Sequence, residues 1–245
     1  MRAARQIFLG RFATPSVPTA RDYVQDGLIT MLDGEWNVGE GVHETSPQTW
    51  IDISGNGNDF DVVNNSVFGR DHAIVSGTGF ATGQTFSLAP TMKHVEVVVE
   101  RDDAGSGIGV VFTQRNPGGR GGGYADFYFF WRPDGKVEIG AYDLSNPSYI
   151  GTAVYCKKGS AFSVGSRYAI SFGDGKIYVN GSEITGAIGA SILNIGGNFI
   201  ASSSSATSGY LWTGKIYSIR YYNRVLTDAE LAANYAIDKA RFDLP

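Results

Sequence analysis

The stretch GYLWTGKIYSIRYYNRVLTDAELAANYAIDKARF, residues 209 to 242, contains two kinds of pattern in succession. Its first half is rich in aromatic and β-branched residues, as strands are, and its second half spaces apolar residues as a helix does. Thr227 stands three residues before Glu230, which is the spacing of a capping box at a helix start. The stretch therefore predicts a closing strand followed by one C-terminal helix over residues 227–241.

Upstream of this stretch, short β-type runs recur between Gly, Asn, Asp and Pro residues. Examples are HVEVVVE, GIGVVFTQ, RYAISF and KIYVNG. The chain has 33 glycines and 13% aromatic residues but only 20 Lys and Arg, a composition that favours strands joined by tight turns over helices. A dozen such runs in 245 residues predict one main all-β domain, a sandwich or a barrel.

Charge and cysteine content exclude several classes of function. The net charge is −4 and no cluster of Lys and Arg with interleaved aromatics occurs, so nucleic acid is not an expected partner. Cys156 is the single cysteine, which rules out an intrachain disulfide and a cysteine-based zinc site. No run reaches the length of a membrane-spanning helix, and the first residues lack the apolar core of a signal peptide. We therefore expect neither a membrane partner nor a secretory signal.

Residues 1–24 differ from the rest of the chain in charge. They contain four arginines and one aspartate, a net charge of +3, whereas residues 25–245 carry −7. Pro15 and Pro18 suit an extended segment. We predict an extended basic arm over residues 1–24 and a folded domain over residues 25–245. Because such an arm is usually ordered by a neighbour, we expect it to support homo-oligomerisation or docking onto an assembly.

Three stretches resemble, in the same order, the laminin-G-like, concanavalin A-like jelly-roll family, especially its bacterial and bacteriophage branch. They are DGLITMLDGEWNVGEGVHETSPQTWIDISGNGNDF (26–60), DGKIYVNGSEI (174–184) and the stretch quoted first. The resemblance implies an all-β jelly roll of two stacked antiparallel sheets, about 10 Å apart, with one C-terminal helix and the N-terminal arm. It does not imply one function, because members bind glycans or proteins, carry calcium, act as enzymes or decorate large assemblies.

Catalytic motifs are missing from the sequence. Retaining glycoside hydrolases with this fold carry Glu-x-Asp-x-x-Glu on one strand, whereas HVEVVVER places Glu96 and Glu100 on one face without the central Asp. His43, His72 and His94 are scattered, and we interpret them as surface or turn residues. No Gly-x-Ser-x-Gly elbow supports a serine nucleophile. We therefore do not expect an enzyme.

The strand GYADFYFFWR, residues 123 to 132, gives the clearest indication of a ligand. Alternation assigns its Phe127 and Trp131 to the core face and a mixture of tyrosines with Asp and Arg to the other face. Such a mixture suits stacking on sugar rings and bonding to their hydroxyls. The candidate glycan-binding residues, on this strand and on KVEIGAYD, are Tyr124, Asp126, Tyr128, Arg132, Glu138 and Tyr142. The alternative is that this face is covered by a loop, the helix or a partner subunit.

The segment WIDISGNGNDF, residues 50 to 60, is interpreted as a sharp corner between strands. Gly55 and Gly57 supply positive φ angles, and the Ser and Asn side chains bond their own backbone. Asp52 and Asp59 flank this oxygen-rich loop and leave a calcium site open, although their spacing matches no defined calcium loop. No other cofactor is expected.

Two classes of function follow from these observations. The first is a noncatalytic, virion-associated structural or adhesion protein with a glycan-binding-like domain: a phage tail, fibre or capsid-decorating component that contacts other virion proteins through its arm. The alternative is a free lectin-like module not tied to a virion. The missing signal peptide and disulfides favour the first, because virion proteins are assembled in the host cytoplasm.

Overall fold

The computed structural model describes residues 18–62, 66–76, 81–83, 93–102, 109–115, 127–131, 137–141, 152–156, 162–173, 176–184, 198–201 and 213–245. The strands are, in chain order, β1 Leu28–Asp33, β2 Thr49–Trp50, β3 Phe60–Val62, β4 Val67–Phe68, β5 Ala73–Ser76, β6 Ala81–Gly83, β7 His94–Arg101, β8 Gly109–Arg115, β9 Phe127–Trp131, β10 Val137–Ala141, β11 Thr152–Cys156, β12 Arg167–Gly173, β13 Lys176–Val179, β14 Ser182–Glu183, β15 Asn198–Ala201 and β16 Thr213–Tyr222. A 3-10 turn, Ala20–Asp22, precedes β1, and helix α1, Asp228–Phe242, follows β16.

The strands form two antiparallel sheets. The first sheet has the order β14-β13-β12-β7-β16-β5-β4, and β1 pairs with β16 along the same edge as β5. The second sheet has the order β11-β10-β9-β8-β15-β6-β3-β2. Neighbouring strands such as β7 and β16 come from distant parts of the chain, as Greek-key connections require. The predicted jelly-roll sandwich is confirmed.

The core lies between the two sheets. The first sheet contributes Val95, Val97 and Val99 of β7 to it, and the second sheet contributes Trp50 and Phe60. Alternation along β7 directs the other side chains to the outer face of the first sheet. All eight residues of β7 are nevertheless buried, so both faces of this strand are covered.

The predicted C-terminal helix covers that outer face. The Thr227 hydroxyl accepts a hydrogen bond from the Glu230 amide, and the Glu230 carboxylate accepts one from the Thr227 amide at 2.8 Å. This reciprocal pair is the capping box that the sequence predicts. The helix ends at Phe242, because Asp243 adopts a left-handed conformation with φ of 50°.

The hairpin between β13 and β14 explains the motif Tyr-Val-Asn-Gly. Asn180 and Gly181 have φ angles of 49° and 73°, as a two-residue type I′ turn requires. A Cβ atom on Gly181 would lie 2.5 Å from the ring of Tyr235, which belongs to α1. The glycine therefore serves both the turn and the close approach of the helix.

The described end of the predicted arm packs onto the domain. Tyr23 is 2% exposed, and its hydroxyl donates to Asp238 at 2.9 Å. The Val24 amide donates to the Asn234 side chain at 3.0 Å, and the Ala20 amide donates to Glu40 at 2.8 Å. Residues 1–17, which contain most of the arm's positive charge, lie outside the described residues, and their extended conformation stays a prediction. Within the described ranges, no helix is long and apolar enough to cross a membrane.

Candidate functional site

The outer face of the first sheet is closed by α1 through buried ion pairs. Arg220 of β16 is 1% exposed and lies between the sheet and the helix. Its Nε donates to Glu96 of β7 at 2.9 Å, and its two Nη atoms donate to Asp238 of α1 at 2.9 and 2.5 Å. Tyr23 stacks on the guanidinium group at 4.3 Å. One arginine thus joins two sheet strands, the helix and the segment before β1.

Asn234 of α1 completes this network on the side of Glu96. Its Nδ2 donates to Glu96 at 2.7 Å and to the Tyr222 hydroxyl at 3.0 Å. Burial raises the pKa of Glu96 above its usual value, against the opposing effect of Arg220. Glu96 is paired and covered by the helix, so it is not placed to act as a nucleophile or a general acid.

A second buried pair fastens the end of the helix to β1. Arg241 donates to both carboxylate oxygens of Asp33, at 2.8 and 3.1 Å, and its guanidinium group lies 3.8 Å from the ring centre of Trp36. Burial raises the pKa of Asp33, although Arg241 opposes that effect. The helix is therefore held at Asp238 and again at Arg241, about one turn apart.

The carboxylate of Glu100, the other glutamate of HVEVVVER, is also bound by neighbouring side chains. It accepts hydrogen bonds from Lys215 at 2.5 Å, Tyr217 at 2.8 Å and Arg167 at 3.4 Å. Burial alone would raise the pKa of Glu100, but the hydrogen bonds from Lys215 and Tyr217 hold it below its usual value. The carboxylate stays ionised and bound to donors, which is the behaviour of a structural ion pair.

The histidines occupy different environments. His72 lies at a bend beside Asp71, with Nδ1 2.7 Å from the carboxylate, and His43 is half-buried with Nδ1 3.2 Å from the Gly34 carbonyl. The interpretation of His94 as a surface or turn residue was wrong, because it begins β7 and is 1% exposed. Its Nε2 lies 2.7 Å from the Ser171 hydroxyl, and burial lowers its pKa to about 3.

The corner at residues 50–60 holds β1 in place. The register of β1 shifts between Leu28 and Thr30, and the Ile29 carbonyl lies at this irregularity. Asn58 Nδ2 donates to this carbonyl at 2.7 Å, Asn56 Nδ2 at 3.0 Å and Ser54 Oγ at 3.3 Å. The two asparagines thus bond the neighbouring strand, where the sequence predicted bonds within the turn. Gly55 and Gly57 have the predicted positive φ angles, 88° and 75°.

Asp52 organises the same corner from inside. Its Oδ1 accepts from the amides of Met31 and Ser54, and its Oδ2 accepts from the Ser54 hydroxyl and the Asn58 amide, all at 2.8 to 2.9 Å. Asp59 accepts from the Asp52 amide at 2.8 Å. Four donors occupy the oxygens that a cation would need, so the calcium interpretation gains no support from these contacts. The described part of the chain groups no three His, Cys, Asp or Glu side chains as a metal site requires.

The second sheet offers a different outer face, which its register identifies. Paired residues of adjacent strands share one face of a sheet. One row of pairs runs through Thr49, Asp61, Thr82, Ile200, Thr113, Tyr128, Gly140 and Ala153. Asp61 is exposed, and its neighbour Phe60 lies in the core with no exposed surface. The whole row, including position 128, therefore belongs to the face opposite the core.

Two of the predicted glycan-binding residues fall on this outer face. Glu138 lies two residues before Gly140 on β10, so positions 128 and 138 share the face as diagonal neighbours on adjacent strands. This placement agrees with the alternation of β9 and β10 expected from the sequence. The remaining candidates lie outside the described residues; they are Tyr124, Asp126, Arg132 and Tyr142. The register thus assigns positions 128 and 138 to one face of the sheet, and the glycan-binding set stays a prediction.

Comparison with known structures finds other proteins that contain a similar fold. Trypanosoma rangeli sialidase in complex with sialic acid aligns at a TM-score of 0.60 with 15% identity, over 92% of this chain and 34% of that one. The botulinum neurotoxin serotype G binding domain aligns at 0.60 with 13% identity, over 87% of this chain and 51% of that one. The chain thus spans about a third of the sialidase and half of the toxin domain. At these identities the likeness concerns the fold alone.

Comparison at the level of sequence gives the family. No curated protein matches the chain significantly. A family model described as the concanavalin A-like lectin/glucanases superfamily matches residues 76–232, which is more than half of the chain. The match includes β7 and β16, which carry Glu96 and Arg220, and the strand that carries Tyr128. The chain belongs to the concanavalin A-like lectin/glucanase superfamily.

Proposed function

We propose that this protein is a noncatalytic carbohydrate-binding module that serves a virion-associated adhesion role. The observation that carries the proposal is the row of strand pairs that assigns positions 128 and 138 to the outer face of the second sheet. The described helix closes the outer face of the other sheet. A tyrosine and a carboxylate on an outward sheet face suit stacking on a sugar ring and acceptance of its hydroxyl protons.

The superfamily name covers both lectins and glucanases, and the two glutamates of β7 bear on the choice between them. Glu96 and Glu100 of β7 are each bound to cationic side chains. This favours the lectin-like role. The names of the similar structures, a sialidase in complex with sialic acid and a neurotoxin receptor-binding domain, are in keeping with a ligand-binding module of this shape.

The virion role rests on the uneven charge of the chain. Residues 1–24 carry +3, and residues 25–245 carry −7. A basic segment beside an acidic domain suits docking onto an acidic assembly while the sandwich faces outward. The second candidate is a free lectin-like module, which needs the same sugar-binding face and no assembly partner.

A glycan array tests the sugar-binding part of the proposal. We expect wild-type protein to bind at least one glycan and Tyr128→Ala to lose about tenfold in affinity, because it removes a stacking ring. Tyr128→Phe keeps the ring and should keep most of the binding. Glu183→Ala, on exposed β14 of the other sheet, is the control and should bind as wild type does. Absence of any wild-type signal would contradict the proposal.

Removal of residues 1–17 tests the assembly part. This truncation leaves Tyr23 and Val24 on the helix, so the domain should keep its melting temperature. We expect it to bind glycans as the full chain does but to lose incorporation into particles, measured in a phage-assembly reaction. Unchanged incorporation of the truncated protein would favour the free lectin-like module.

A further inference from the structure

A small cavity lies between the first sheet and α1. Its volume is about 20 Å³, counted as the space open to the centre of a water molecule. Glu96 and Ser171 line it on the sheet side, and Leu231, Tyr235 and Asp238 line it on the helix side. A cavity needs about 10 to 15 Å³ of such space to hold one water. This cavity is therefore large enough for one water molecule and too small for an organic ligand.

Glu96 contributes a carboxylate oxygen that needs a donor. Both hydrogen bonds that Glu96 receives from the described residues go to its Oε2, from Arg220 at 2.9 Å and from Asn234 at 2.7 Å. Its Oε1 has no donor among these residues, although Glu96 is only 5% exposed. A buried carboxylate oxygen costs free energy unless a hydrogen bond reaches it. Because Glu96 lines the cavity, a donor placed there would complete its set.

Ser171 contributes a hydroxyl proton, which the state of His94 leaves free. Burial lowers the pKa of His94 to about 3, so the ring is neutral near pH 7 and carries one N–H. Its Nδ1 is buried and has no hydrogen-bond partner among the described residues. A proton on Nδ1 would be an unpaired buried donor, whereas a proton on Nε2 donates to the Ser171 oxygen at 2.7 Å. Nε2 therefore carries the proton, and the Ser171 hydroxyl keeps its own hydrogen for another acceptor.

Ser171 and Glu96 face each other across β12 and β7. They are paired directly in the register of these strands, so their side chains lie side by side on the outer face. The hydrogen bonds of the described residues include none between the two side chains. Polar groups that face each other beyond direct reach are commonly bridged by water. Asp238 Oδ2, at the same cavity, accepts one hydrogen bond from Arg220 and has a second lone pair.

We propose that this cavity binds one structural water, which accepts a hydrogen bond from the Ser171 hydroxyl and donates one to Glu96 Oε1. Its second proton points to Asp238, which gives the water about three hydrogen bonds, as is typical of buried water. The water joins His94 and Ser171 to the ion pair of Glu96 with Arg220, so one hydrogen-bonded chain crosses the covered face. The site goes beyond the proposed function and does not depend on sugar binding.

A crystal structure of the protein at near-atomic resolution tests the site. We expect one well-ordered water within hydrogen-bond distance of Ser171 Oγ and Glu96 Oε1. Ser171→Val puts methyl groups in place of the hydroxyl and should lose this water. Ser182→Val, on exposed β14, is the matched control and should keep it. A cavity without water, a direct bond between Ser171 and Glu96, or retention of the water in Ser171→Val would overturn the proposal.

Nitrogen NMR of isotope-labelled wild-type protein tests the same chain without any substitution. Near neutral pH we expect the proton of the His94 ring on Nε2 and an unprotonated Nδ1. A proton on Nδ1 would mean that the Ser171 hydroxyl donates to the ring, and the proposed water chain would be wrong. Melting curves of Ser171→Val and Ser182→Val identify any loss of the water that comes from unfolding.

Discussion

The outer faces of the two sheets carry similar residues in sequence, but the helix covers only the first of them among the described residues. Glu96 of β7 and Glu138 of β10 are both glutamates in the middle of a strand, on the side opposite the core. Glu96 is buried beneath α1 and bonded to Arg220 and Asn234. Glu138 lies on the sheet that the described helix does not cover. The comparison teaches that alternation separates the two faces of a strand, and a distant element decides whether the outer face is covered.

Removing the central cation of the covered face should have the largest effect. Arg220→Met leaves Glu96 and Asp238 buried without their partner, and we expect a loss of about 3 to 5 kcal/mol in the free energy of unfolding. Chemical denaturation monitored by tryptophan fluorescence measures it. Arg224→Met is the matched control, because this arginine is 27% exposed and its pair with Glu230 is worth about 1 kcal/mol or less.

A triple substitution tests whether unpaired buried charge causes the loss of stability in Arg220→Met. Replacing Arg220, Glu96 and Asp238 together by apolar residues of similar size should recover much of the lost stability, since no buried charge then remains unpaired. Similar losses for Arg220→Met and Arg224→Met would show that the covered face is not organised around Arg220.

The covered face should also respond to acid through His94. Its pKa is about 3 in the folded protein, against about 6.5 when unfolded, so folding favours the neutral ring. The contribution of the neutral His94 ring to the free energy of unfolding is fully present above pH 6.5 and is lost as the pH falls towards 3. At pH 5 the loss amounts to about 2 kcal/mol relative to pH 7. Denaturation curves at a series of pH values measure it.

His94→Gln removes this titration and isolates it from that of the carboxylates. The variant should be less stable than wild type at pH 7 but should lose less stability between pH 7 and 5. His72→Gln, at the bend beside Asp71, is the control, because the His72 side chain is 16% exposed whereas His94 is 1% exposed. Equal pH slopes for wild type and His94→Gln would show that burial of His94 does not contribute to the acid response.

Neutralising Glu138 should have the smallest effect on the free energy of unfolding. Glu138→Gln is expected to change the free energy of unfolding by less than about 0.5 kcal/mol, as substitutions at outward sheet positions usually do. Glu96→Gln, its counterpart on the first sheet, should cost clearly more in the same denaturation experiment. A large loss for Glu138→Gln would mean that the second outer face is covered like the first.

Most of the fold could be predicted from local patterns. Thr227 and Glu230 marked the helix start, because a capping box acts on residues within a few positions along the chain. The prediction that His94 is a surface or turn residue was wrong, because its burial depends on Ser171 and on the elements packed over β7. Alternation assigned positions 128 and 138 to the outer face of the second sheet, and the strand pairing that continues to the exposed Asp61 gives the same assignment.

The sequence by itself determined the β-rich architecture, the single C-terminal helix, the positive-φ corner at Gly55 and Gly57, and the two faces of each strand, since all of these follow from short-range geometry. Only the tertiary structure decided which outer face is closed. The contacts that close it join Tyr23 to Asp238 and Glu96 to Asn234, residues separated by 215 and 138 positions. Periodicity contains no information about such distant partners, because burial of a polar group depends on the element that comes to lie over it.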